Sequence, residues 1–184
     1  KCPRLLNGDI VLIEYDALKG TAKIPNYSDK LIEVVSIQRC LESGKVIKPL
    51  EDLPESYSLE QARKDDCIVH EDLQITSGEQ YFESFLANVK YNMPSSIRLA
   101  FYYSESNMLF VQDVIYNGTD FTVRKIEGNT EYLNKYSYLK KFIGRYPNPD
   151  YTYNGYLKYV LLDDNTVKSY DELWRSALSS KFGD

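Results

Sequence analysis

Little in this sequence announces a chemistry. Among 184 residues, His70 is the sole histidine. The three cysteines, Cys2, Cys40 and Cys67, follow no metal-site spacing. A histidine–cysteine metal centre is therefore not written in the chain, and no cofactor is called for. The glycines are isolated, Gly8, Gly20, Gly44 and Gly78 among them, so no glycine-rich phosphate loop exists. Neither Ser43-Gly44-Lys45 nor Ser180-Lys181 makes a Ser–Lys catalytic motif. No basic block and no Lys/Arg-rich helix occurs, and the formal net charge is −5. That balance disfavours nucleic acid and anionic membrane surfaces as partners. No apolar run approaches the ~20 residues of a transmembrane helix. Fixed-period repeats and low-complexity tracts are missing too.

What is present is ordinary globular composition with a tyrosine excess. Hydrophobic residues make up 43% and charged residues 27%, and 17 Tyr stand against 7 Phe and one Trp. Tyrosine joins an apolar ring to a polar tip, so it suits half-wet sheet faces and recognition surfaces alike. A chain of this length can bury roughly 70% of its unfolded surface without a staple. The three cysteines allow one disulfide with a spare thiol, with Cys40–Cys67 or either residue with Cys2 as the pair. They equally allow three unpaired thiols acting as small apolar residues. The chain opens at Lys1 without methionine, which fits either a removed export signal or a trimmed sequence. Cys2 brings a lipid anchor into view, although Lys1 is a poor cleavage-site residue.

The pattern along the chain predicts strands at Asp9–Tyr15, after Asn7-Gly8, at Lys30–Cys40 and at Gly44–Lys48. Pro49–Tyr57 reads as a linker. Ser58 with Gln61 predicts a capping box and a short helix to about Asp65. His70–Gln74 reads as strand or loop. Thr76 with Glu79 predicts a second capping box, opening a helix with Phe82, Phe85, Leu86 and Val89 on one face. Ile97–Tyr103 alternates as a strand. Met108–Tyr116 and Asp120–Ile126 flank Asn117-Gly118, a strong hairpin signal because both residues accept positive φ. Glu131–Gly144 and Gly155–Leu162 read as strands. Ser169 with Glu172 predicts a C-terminal helix to about Ser180. The expected fold class is α+β, an antiparallel β-sheet with helices packed on one face. Residues 1–55 form an N-terminal β-rich segment, either its own unit or a sheet extension, and 56–184 the α+β domain.

Several of these pieces occur together in an order that resembles a known family. The opening LEQARKDDCIV at Leu59–Val69, ITSG at Ile75–Gly78, SIRLAFYY at Ser96–Tyr103 and the closing DDNTV with its helix are similar to the bacterial domain-of-unknown-function 4362 family. The resemblance spans Tyr57 to about Ser180. It implies an exported or lipid-anchored protein of Gram-positive bacteria with an α+β unit, and carries no activity, substrate or catalytic residue.

Candidate sites are few. In a strand, His70 and Asp72 would share a face while Glu71 points away, an acid–base arrangement without a nucleophile. The competing picture is a surface histidine in a solvated acidic turn. Asp163-Asp164-Asn165-Thr166 is calcium-like in composition but lacks the glycine of a tight loop, and Val167 interrupts it, so it reads as a turn. Asn26-Tyr27-Ser28 and Asn117-Gly118-Thr119 match the glycosylation pattern, which is idle in a bacterium. The last candidate is RYPNPDYTYNGYLKYV at Arg145–Val160. Pro147 and Pro149 keep its start out of ladder pairing. Tyr146, Tyr151 and Tyr153 are the candidate ligand-binding residues, for a glycan, a peptide or a protein. The bland account is a strand from Tyr153 to Leu162 pairing beside Tyr136–Tyr138. The function expected is a non-enzymatic, extracellular or cell-surface binding module. The alternatives are a hydrolase built around His70-Glu71-Asp72 and Asp163-Asp164, or a purely structural accessory domain.

Overall fold

The computed structural model describes residues 5–16, 33–41, 43–72, 74–145, 155–166 and 177–181. In chain order the elements are β1 (Ile10–Asp16), β2 (Glu33–Cys40), α1 (Leu59–Lys64), β3 (Ile68–Glu71), β4 (Gln74–Ser77), α2 (Glu79–Lys90), β5 (Ser95–Tyr103) and β6 (Met108–Tyr116). They continue with β7 (Phe121–Glu127), β8 (Thr130–Tyr136), β9 (Tyr138–Arg145), β10 (Gly155–Leu162) and β11 (Ala177–Lys181).

Among the described residues these strands form three sheets. The largest runs β4-β3-β5-β6-β7-β8 and is antiparallel except where β3 pairs with β5. β4 and α2 lie between those two strands in the chain, supplying the crossover that parallel neighbours require. A second sheet, β9-β10-β11, begins one residue after β8. Its β11 runs close to β4 at the edge of the larger sheet. β1 and β2 form a separate two-stranded ribbon. The sheet-rich α+β class is as expected.

Strand alternation sorts the core onto two faces. Ile68, Ile97, Leu99, Val114 and Val123 point to one face, where Phe82 and Phe85 of α2 meet them, with Leu161 of β10 in the same cluster. Leu86 and Val89 pack at its border, so the helical face read from the spacing is the one used. Val69 and Ala100 point to the other face, where they meet Ala62 of α1 and Cys67. α2 thus shares its buried cluster with one face of this sheet and α1 with the other, while most of the expected C-terminal helix, which was to pack beside α2, lies outside the described residues. β3 and residues Ser95–Ala100 of β5 are buried from both sides and leave neither face bare there.

The second face also holds charge. Arg98, Asp113 and Arg124 stand opposite one another across β5, β6 and β7 and are all buried. The ribbon closes over this row. Arg39 Nη1 lies 3.7 Å from Asp113 Oδ2, and Asp9 Oδ2 lies 3.2 Å from Arg124 Nη2. Gly8, at φ +99°, sits so close to Tyr116 and Asn117 that a Cβ there would come within 2.8 Å of their backbones. Lys45 Nζ donates to the Lys64 carbonyl at 2.7 Å, tying the segment after the ribbon to α1.

Several local expectations change. Gly44–Lys48 is not a strand; Val46 makes a single bridge to Cys40. The Pro49–Tyr57 linker contains a 3-10 turn at Leu50–Asp52 that buries Leu50. Ser58 caps α1 by accepting from the Gln61 amide, but the Gln61 side chain donates to Asp65 rather than reaching back. The Thr76–Glu79 box does not form: Thr76 and Ser77 belong to β4, and Gly78 enters α2 in the left-handed conformation. Asn117 is not at positive φ; its side chain accepts from the Thr119 and Asp120 amides, and Gly118 alone takes φ +97°. Tertiary pairing also extends strand where helix was expected. Ala177–Lys181 is β11, so the C-terminal helix cannot reach Ser180. The rest of that expected helix, 167–176, lies outside the described residues.

Candidate functional site

The same apolar parity that buries Ile97 and Leu99 beneath α2 continues to Phe101 and Tyr103. The helix does not follow it there. α2 has 12 residues and rises about 18 Å, whereas β5 has 9 residues and extends about 30 Å. Asn88 and Asn92, in and just past the last turn of α2, bond Ser95 and Tyr116, which anchors the helix at the opposite end of β5 and β6. An apolar strip is left open at the turn end of the β5–β6 hairpin.

Tyr103, Met108 and Phe110 make up this strip and Tyr132 stands on the same sheet face two strands from Phe110, each exposed by 38 to 50%. Met108 faces Tyr103 across the ladder and Phe110 faces Phe101. Tyr103 and Phe110 meet at 5.9 Å with their planes 74° apart. Lys125 places its ammonium 5.3 Å from the centre of the Tyr132 ring and pairs with Glu127 at 2.6 Å, giving the strip a charged border. Phe101 stacks on His70 at 4.7 Å.

The sites expected from sequence fall elsewhere. His70 is buried against Phe101, so a surface histidine in a solvated turn is corrected; the parallel β3–β5 pairing brings it under cover. Glu71 accepts from Arg63 and Thr76. Asp72 accepts from the Ser104 amide at 2.9 Å and its hydroxyl at 2.6 Å, and these bonds hold its carboxyl below the usual range. Asp164 accepts from the Thr166 amide and hydroxyl, closing a turn as expected. Each of these three carboxylates thus serves a local structural bond. Among the described residues no group of three or more His, Cys, Asp and Glu is placed to hold a metal.

Cys40 and Cys67 are both buried free thiols, which corrects a Cys40–Cys67 disulfide; Cys2 lies outside the described residues. Burial pushes the Cys67 thiol up to about 11. The Tyr57 hydroxyl, 3.6 Å from Cys67 Sγ, bonds Asp65 at 3.0 Å and is itself raised by burial.

Tyr146, Tyr151 and Tyr153 also lie outside the described residues. The strands on either side are paired, with Arg145 opposite Gly155 and Tyr138 opposite Leu162. Gly155–Leu162 is therefore a sheet strand beside β9, but the pairing expected with Tyr136–Tyr138 is limited to Tyr138, because Tyr136 ends β8 in the larger sheet, and Tyr153 lies outside the described residues. No helix among the described residues is long and apolar enough to cross a membrane.

Compared with family models, with curated proteins and with solved structures, the chain matches none.

The sequence reading missed both the strip and the charged row. A signal for the row was present: Arg98, Asp113 and Arg124 each interrupt a dense apolar strand, a pattern that marks a second buried face. The strip had none, because its exposure depends on where α2 stops.

Proposed function

We propose that this chain is a non-enzymatic binding module of an exported bacterial envelope protein, and that it docks a protein or peptide partner on the sheet face carrying Tyr103, Met108, Phe110 and Tyr132. The observation carrying this reading is an uncovered apolar surface with a charged border, on the same sheet face that α2 covers further along. Ring geometry favours a peptide over a glycan. A sugar stacks on a flat ring face, and Tyr103 and Phe110 stand nearly edge to face. Their uneven relief, with Met108 beside them, suits inserted side chains. The occupied carboxylates Glu71, Asp72 and Asp164 weigh against a hydrolase, because each would first have to release its bonds. Export rests on the family resemblance.

The test presents wild-type protein and the Phe110→Ser variant to a displayed random-peptide library and to a glycan array. Peptides selected by the wild type and lost by the variant support the reading. Glycan binding that Phe110→Ser leaves intact, with no peptide selected, removes it.

A further inference from the structure

Beneath the ribbon, three guanidinium groups are buried with fewer carboxylates than they need. Arg39, Arg98 and Arg124 are each at most 3% exposed. Among the described residues, Asp113 and Asp9 are the acids buried with them; Glu131, ion-paired with Arg124 Nε at 3.5 Å, keeps 23% of its side chain in solvent. Among the described residues, three positive charges thus face two negative ones in the fully covered part of the row, with Glu131 at its rim.

The donor inventory points the same way. Arg98 is satisfied by both oxygens of Asp113. Arg39 Nε and Nη1, and Arg124 Nε and Nη1, are buried and have no hydrogen-bond acceptor among the described residues. Buried charged donors are rarely left in that state. The two groups flank the same carboxylates: Arg39 lies 3.7 Å from Asp113, which stands opposite Arg124, and Arg124 lies 3.2 Å from Asp9.

We propose that a small monovalent anion of chloride size is held between Arg39 and Arg124, beneath the β1–β2 ribbon. One negative charge balances the covered set, which a water molecule cannot do. The shape of the open positions argues against a planar or tetrahedral oxyanion. Such groups grip a guanidinium by a whole fork, and the side-on fork is Nε with Nη2. Arg124 Nη2 is already given to Asp9, so a spherical acceptor that needs only single N–H groups fits better. Burial raises the Asp9 carboxyl, against the lowering by the Leu6 amide and by Arg39.

The experiment uses the whole chain, with chloride and bromide as probes and bulky gluconate as the control at fixed ionic strength. The wild-type Tm rises saturably with either halide, by about 5 °C at roughly 100 times Kd, and gluconate has no such effect. Arg39→Lys keeps the charge, removes the guanidinium and loses the shift. Crystals grown in bromide place an anomalous peak within hydrogen-bond distance of both Arg39 and Arg124. The peak decides the matter even if Arg39→Lys does not fold. Water alone between the two groups overturns the proposal, as does a halide shift of equal size in wild type and variant.

Discussion

Arg98 grips both carboxylate oxygens of Asp113 across the β5–β6 ladder, Nε to Oδ1 at 2.6 Å and Nη2 to Oδ2 at 3.0 Å, with both side chains buried. Because Arg39 shares Asp113, the two partners are not equivalent. Asp113→Asn strands two buried cations and is expected to cost about 3–5 kcal/mol. Arg98→Met leaves Asp113 with Arg39 to turn to, and is expected to cost less. Urea denaturation of both variants, with unchanged m-values, checks the order. Equal losses would show that Arg39 contributes nothing to the row.

Asp72 gives the fold a pH-sensitive tie. The Ser104 hydroxyl, then its amide, lower the carboxyl in the folded state. A lowered folded value means stability present above the unfolded value and lost as pH falls through the folded one. Ser104→Ala removes the larger of the two causes. Wild type should therefore exceed the variant in stability at neutral pH, and the gap should close as pH falls below about 4. A urea series from about pH 7 to about pH 2.5 reads this directly. A gap that stays constant with pH would mean that the hydroxyl acts only through packing.

How far the sequence carried can be judged from particular elements. The Phe82–Phe85–Leu86–Val89 face and the strands at Ile97–Tyr103 and Met108–Tyr116 were legible, because their periods are local and long. Their ends were less so. Thr76 looked like a helix cap, but β3 recruits Gln74–Ser77 into a strand, a partner found only in three dimensions. Ala177–Lys181 fails the same way, drawn into pairing with β10. The candidate site was hardest to see. Nothing in MLFVQDVIY marks Phe110 as exposed and Val114 as buried; only the position of α2 separates them.

Cys67 should be chemically quiet. Burial raises its thiol to about 11, so at neutral pH it carries its proton, and the thiolate is the reactive form. Native protein treated with iodoacetamide should label Cys67 only as fast as it unfolds, and promptly in denaturant. Peptide mapping by mass spectrometry resolves it from the other cysteines, and a non-reducing map should contain no Cys40–Cys67 bridge. Fast labelling of Cys67 in the native protein would contradict the burial that raises it.

Two glycines separate backbone strain from crowding. Gly44 and Gly78 have nearly the same φ, +79° and +78°. A Cβ on Gly44 meets nothing within 4 Å, whereas one on Gly78 would lie 2.5 Å from the Cys67 carbonyl oxygen and 3.0 Å from Ile68 Cα. Gly44→Ala therefore pays for left-handed backbone alone, about 1–2 kcal/mol. Gly78→Ala adds a collision with backbone that cannot swing aside, because Cys67 and Ile68 are fully buried between the two faces. Its cost should exceed that of Gly44→Ala by at least ~2 kcal/mol, in the range of overpacked cores. The comparison is made by urea denaturation of the two variants side by side. Equal costs would mean that the entry to α2 can shift away from β3, and the close seat of α2 on the sheet would then be softer than the distances at Gly78 require.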